Sequence, residues 1–160
     1  MKQVTPDPKP RKRLVDKGFI AYLKTLPCIY QIDDKCREAN QPHHDRTGYG
    51  DGKGCAARRP DDYRALRTCD ACHDSLHASI GPRYREMVAK IGREDILRDQ
   101  INNLFVWGKM QGWEVEVYRN GKIRGVTAGI VMFYQIDTAE MLERILDSLI
   151  DWIAKERGIG

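Results

Sequence analysis

CDACHDSLH, residues 69–77, supports three readings, and each gives the chain a different chemistry. Cys-x-x-Cys-His is the attachment sequence of a c-type haem. Cys-x-x-Cys is also half of a structural zinc site built from thiolates. His73 and His77 stand four apart, so a helix through them carries both imidazoles on one face as a pair of metal ligands.

The surrounding sequence separates these readings. LPCIYQIDDKCREA, residues 26–39, holds a second pair, Cys28 and Cys36, which with Cys69 and Cys72 completes a four-thiolate tetrahedral set. The fifth cysteine, Cys55, lies in the Gly-rich GYGDGKGCAARRP and reads as a spare loop thiol. The N-terminal MKQVTPDPKPRKRLV is basic but lacks the apolar segment of a secretion signal, and no apolar run approaches a membrane span. The expectation is a cytoplasmic chain without a membrane partner. In that reducing compartment an odd set of five cysteines points to metal rather than disulfides. Haem attachment of this type follows export, so the zinc reading leads, with buried unliganded cysteines as the plain alternative.

Length and composition suit one compact domain with an appendage: 160 residues, 41% apolar, net charge +4. That charge permits a polyanionic partner without requiring one.

All four histidines fall between the cysteine pairs or just after them: His43, His44, His73 and His77. In QPHHDRTG, an extended backbone points neighbouring imidazoles in opposite directions, so His43 and His44 can hold different roles. With His73 and His77, three imidazoles with open positions meet the needs of a catalytic metal, and the fourth is left to act as a base. A second structural zinc or a hydrogen-bonded polar knot is the alternative for this cluster.

HHDRTGYG followed by RRPDDYRALRTCDACHDSLH resembles the HNH endonuclease motif, in the form found in small phage and prophage proteins implicated in recombination. The resemblance covers residues 26–78. It implies an α+β fold with a zinc-stabilised, treble-clef-like ββα-metal core, and a metal-dependent DNA endonuclease. By position, His44 resembles the general base, His43 the metal ligand beside it, and His73 and His77 the helix ligands. Cys28, Cys36, Cys69 and Cys72 would hold structural Zn2+, and the histidines a catalytic Mg2+, Mn2+, Ni2+ or Zn2+. The chain departs from the motif in its middle residue, since no Asn lies between His44 and Cys69. Asp62 either replaces it, orienting the base imidazole, or serves as a turn residue in RRPDDY. A zinc-finger module that binds nucleic acid or protein without cutting is the rival function.

The rest of the chain is expected to support that module. Residues 1–13 read as a basic flexible arm, 14–80 as the nuclease module and 81–160 as a helical and hairpin region. GFIAYLKTL reads as a short helix ended by Pro27, and residues 28–68 as irregular chain that only a metal would hold. The helix through DSLHASIG is expected to stop at Gly81-Pro82. Two helices follow to about Gly112, with Ile96, Leu97, Ile101, Leu104, Phe105 and Gly108 on one face. WEVEVYRNGKIRGV reads as a hairpin turning at Asn120-Gly121. In the final helix, Asp137 and Glu140 have capping-box spacing, and a stripe from Leu142 to Ile153 faces the hairpin or a second subunit in a homodimer. Arg46, Arg58 and Arg59 flank the histidines and are expected to touch DNA phosphates.

Overall fold

The computed structural model describes residues 12–44, 61–113, 115–117, 123–125 and 138–156. Among them the fold is α+β. Helix α1 (Lys17–Leu23) leads to strand β1 (His43–His44), and a single 3-10 turn (Asp62–Arg64) runs directly into β2 (Ala65–Leu66). Helices α2 (Asp70–Ala78), α3 (Pro82–Lys90) and α4 (Arg93–Met110) follow, then strands β3 (Val115–Val117) and β4 (Ile123–Gly125), and finally helix α5 (Ala139–Glu156).

Two apolar clusters organise these elements. The larger draws Phe19 and Leu23 from α1, Tyr63 from the 3-10 turn, Leu97, Ile101 and Leu104 from α4, and the stripe of α5. This core takes side chains from both sides of residue 80, so the first half of the chain and the helical half are packed as one body. The smaller cluster surrounds the four thiols and adds Tyr30, Leu66 and Met87. Helix α4 serves both: Leu97 enters the main core, while its neighbour Ile96 packs on the thiol cluster. A single expected face is thus split between two clusters, since adjacent helical positions are about 100° apart.

Strands β1 and β2 pair antiparallel, His43 opposite Leu66 and His44 opposite Ala65. This short ladder is extended by chain running alongside it. Gln41 N–H donates to Thr68 O at 3.0 Å, and the Thr68 hydroxyl donates to Gln41 O at 2.6 Å. The ladder therefore delivers the double histidine to the start of α2.

Helix α2 ends at Ser79, two residues before the expected Gly81 stop. Ser79 takes the left-handed conformation, φ 53°, and its N–H donates to Ser75 O at 2.9 Å. A serine at the left-handed cap ends the helix as a glycine would, because its hydroxyl also bonds Leu76 O, at 3.0 Å. The hairpin is present, with Val117 opposite Ile123, while its Asn120-Gly121 tip lies outside the described residues.

Helix α5 is capped one residue later than expected. Thr138 holds the N-cap place, its hydroxyl accepting from Met141 N–H at 3.3 Å, as a β-hydroxyl at that position does. Asp137 lies outside the described residues. The stripe of Leu142, Ile145, Leu146, Leu149 and Ile153 is buried inside this chain. Ion pairs at the edge of the core fix α5 in place. Arg64, its side chain 3% exposed, donates to Glu143 at 2.8 Å and also binds Asp147, and Arg93 reaches the other oxygen of Glu143 at 2.7 Å. None of the described helices is long and apolar enough to cross a membrane.

Candidate metal centres and the His44–Asp62 pair

The four thiols converge from two places. Cys28 lies just past Pro27, which bridges to Glu38, and Cys36 follows the turn that begins at Asp33. Cys69 is the N-cap of α2, and Cys72 lies in its first turn. All four are buried, with their sulfur atoms within 4.8 Å of one another. Cys36 Sγ lies 3.4 Å from Cys72 Sγ and 3.7 Å from Cys69 Sγ. A tetrahedral zinc with sulfurs at 2.3 Å has edges of about 3.8 Å, whereas a disulfide needs about 2.05 Å, so the spacing fits the ion and not the bond.

The electrostatics agree with a cation site. The hydrogen bond from Cys72 brings the Cys28 thiol down to about 4. The same bond, together with burial, pushes Cys72 up. The cluster thus readily holds one thiolate, and further ionisation requires a cation among the sulfurs. Arg83 supplies part of that charge from α3. Its guanidinium lies 3.6 Å from Cys36 Sγ and is fixed by Asp33 at 2.7 and 3.0 Å. The zinc expectation for these four cysteines is matched by buried thiols that fit the ion.

A second ligand group stands beside the first. His43 from β1 meets His73 and His77 from α2, with ligand nitrogens within 4.8 Å of one another. The ring centroids of His73 and His77 are 4.5 Å apart, and those of His43 and His77 4.9 Å. The Nδ1 atom of His73 is buried and makes no hydrogen bond, its neighbour Asp74 lying 3.6 Å away. A buried imidazole nitrogen without a hydrogen-bond partner is an energetic cost that a coordinated cation removes. These three residues also fit a metal.

His44 occupies a different setting from its neighbour, as the extended backbone dictates. Its Nε2 lies 2.9 Å from Asp62 Oδ1. Asp62 is 3% exposed. Burial alone would raise its carboxyl, but the hydrogen bond from His44, the Asp16 N–H at 2.8 Å and the Arg13 charge hold it below the ordinary carboxylate range. An ionised carboxylate only accepts, so His44 Nε2 carries the proton and Nδ1 is the basic nitrogen. Both placements open to Asp62 in the sequence are present: it contacts His44 and it begins the 3-10 turn.

Arg13 was assigned to the flexible arm, and it stands instead in this group. Its guanidinium binds Asp62 Oδ1 and lies 3.4 Å from His44 Nε2, so two donors share one acceptor. The chain on either side is tied down as well: Leu14 N–H donates to Asp61 Oδ1 at 2.7 Å, and Asp62 N–H to Leu14 O at 3.0 Å. Arg46, Arg58 and Arg59, the expected phosphate contacts, lie outside the described residues, as does Cys55.

A cleft of about 560 Å³ opens beside these groups. His43, His44 and His77 line it together with residues of α3 and the start of α4. No protein-family model, curated protein or solved structure matches this chain.

Proposed function

We propose that the chain is a metal-dependent DNA endonuclease of the HNH, ββα-metal kind, with a separate structural zinc. One observation carries this reading: His43, His73 and His77 form a three-nitrogen ligand group directly beside an imidazole, His44, that a buried carboxylate orients. Two short paired strands followed by a helix supply every one of these histidines, which is the order the ββα-metal architecture requires.

In this reading each residue has a definite task. His43, His73 and His77 hold a divalent cation, which when bound acts as a Lewis acid on the phosphate. Asp62 fixes the His44 ring with Nε2–H donated to it, leaving Nδ1 to take a proton from the attacking water. The water oxygen bonds to phosphorus, the opposite P–O bond breaks, and the leaving oxygen is protonated from solvent. Cys28, Cys36, Cys69 and Cys72 hold zinc, adding folding energy to the small apolar cluster around them. A zinc module that only binds nucleic acid accounts for the thiols but gives the histidine group and its oriented neighbour no task.

The test is cleavage of supercoiled plasmid and of circular single-stranded DNA by metal-stripped protein, with Mg2+, Mn2+, Ni2+ or Zn2+ added back and His44→Ala run alongside. Cleavage by the wild type and not by the variant supports the nuclease. Equal cleavage by both, or DNA binding without cleavage by either, overturns it.

A further inference from the structure

The cleft beside the histidines is unlike a surface that only follows a DNA backbone. Its lining includes apolar side chains: Leu76 from α2, Val88 from α3, Ile91 after α3 and Ile96 in the first turn of α4, together with the buried Leu66 and Met87. Val88 is 54% exposed, a large apolar side chain left facing water at the edge of this depression. Tyr30 and Tyr84 add aromatic faces. Among the described residues lining the cleft there is no carboxylate; the charged or chargeable side chains are His43, His44, His77 and Arg93, besides the two tyrosines.

This lining suits an occupant that carries both an anionic group and a flat apolar face. The histidines suit a phosphate, while the aromatic and aliphatic side chains suit the face of a nucleobase. The volume falls within the roughly 300–1,000 Å³ typical of sites that enclose a small ligand. An intact duplex cannot use such a lining. Its base faces are stacked out of reach, and it presents only phosphates, sugars and groove edges. Burying apolar side chains against phosphates would yield nothing, whereas an unpaired base stacks and is desolvated there.

We infer that the cleft takes an unpaired base of a DNA strand whose adjoining phosphate lies at the His43, His73 and His77 group, so that the substrate is single-stranded at the point of attack. The inference rests on the nuclease reading for the position of the phosphate, but the cleft can be tested by binding alone.

The experiment compares three probes of equal length on the zinc-loaded full chain without added magnesium, read by fluorescence anisotropy: oligothymidylate, a fully abasic strand and a duplex. Charge is the same for the first two, so the bases alone separate them. Oligothymidylate is expected to bind at least about tenfold more tightly than the abasic strand, the scale of one stacked base. It is also expected to outbind the duplex. Val88→Asn, at a solvent-facing position that folding tolerates, and Tyr84→Ala should each reduce thymidylate binding while leaving abasic binding unchanged. Equal affinity for thymidylate and abasic strands, tighter binding of the duplex, or wild-type affinity in both variants overturns the inference. Cleavage of circular single-stranded DNA with divalent metal added back, measured in parallel, separates the two proposals. Cleavage without base-dependent binding removes the cleft and leaves the nuclease; base-dependent binding without cleavage does the reverse.

Discussion

His44 and Asp62, 18 residues apart in the chain, meet at 2.9 Å between Nε2 and Oδ1. Strand β1 and the turn leading into β2 bring them together, and the carboxylate is buried where water competes little for it. The strength of that contact decides how firmly the base nitrogen is aimed.

Replacing the two partners should therefore have unequal effects on nicking. His44→Ala should reduce the rate by at least about 100-fold, the usual yield of general base catalysis. Asp62→Asn, which keeps the shape but not the charge, should reduce it by about 10- to 100-fold, as expected for a group that orients an imidazole. Both proteins should retain their zinc and their fold by circular dichroism. Full activity in His44→Ala would remove it from the mechanism.

The depressed carboxyl of Asp62 also predicts an acid response. In the folded chain it holds its proton less tightly than in the unfolded chain, so its contribution to stability is complete above the unfolded value of about 4. As pH falls further, through the folded value, that contribution is lost. The melting-temperature advantage of wild type over Asp62→Asn should be constant from pH 7 to 5 and shrink below about pH 4. An advantage that persists undiminished to pH 3 would contradict the assignment.

Metal content offers a check independent of activity. The wild type should take up about two equivalents of zinc per chain, one at the thiols and one at the imidazoles, and His73→Ala with His77→Ala about one. Cys69→Ser or Cys72→Ser should lose the other equivalent and, with it, the cooperative melting of the chain, because structural zinc binding is folding energy. If either cysteine variant keeps its zinc and melts like wild type, the division of ligands is mistaken.

Arg64 joins the 3-10 turn to α5 through Glu143 and Asp147. Its backbone carbonyl accepts from Gln100 of α4 at 2.8 Å. Removing the guanidinium leaves Glu143 beside the core with one cation fewer. Arg64→Ala should cost about 2–3 kcal/mol in urea denaturation, less than a fully enclosed pair because Asp147 keeps access to water. A cost below about 0.5 kcal/mol would show that α5 is held by its apolar stripe alone.

Both candidate ligand groups were legible in the sequence because ligand chemistry is local in type: thiols and imidazoles recur there in short spacings. The helical stripes and the hairpin were legible for the same reason, since periodicity is a property of a segment. What a segment meets is not. The pattern of α5 marks an apolar face, and docking beside the hairpin strand β4 was among its expected uses, but not that the face is spent largely on α4; the split of Ile96 from Leu97 depends on two clusters existing at all. Arg13 was missed because it lies at the end of a basic run resembling any solvated arm, and its partner Asp62 is 49 positions away. The cleft was missed likewise, since its lining comes from β1, β2, α2, α3 and α4 and no one of these carries its signature.

The contact between His44 and Asp62 has one more consequence, for how such a protein changes over generations. It holds His44 and Asp62, the described chain on either side of residues 45–60, next to each other. Lengthening a segment closed in this way adds little to its entropic cost, roughly 0.6 kcal/mol for each doubling. Insertions and deletions between these two partners should therefore accumulate over generations at little cost to the contact that closes them, whereas changes at His44 or Asp62 themselves should not.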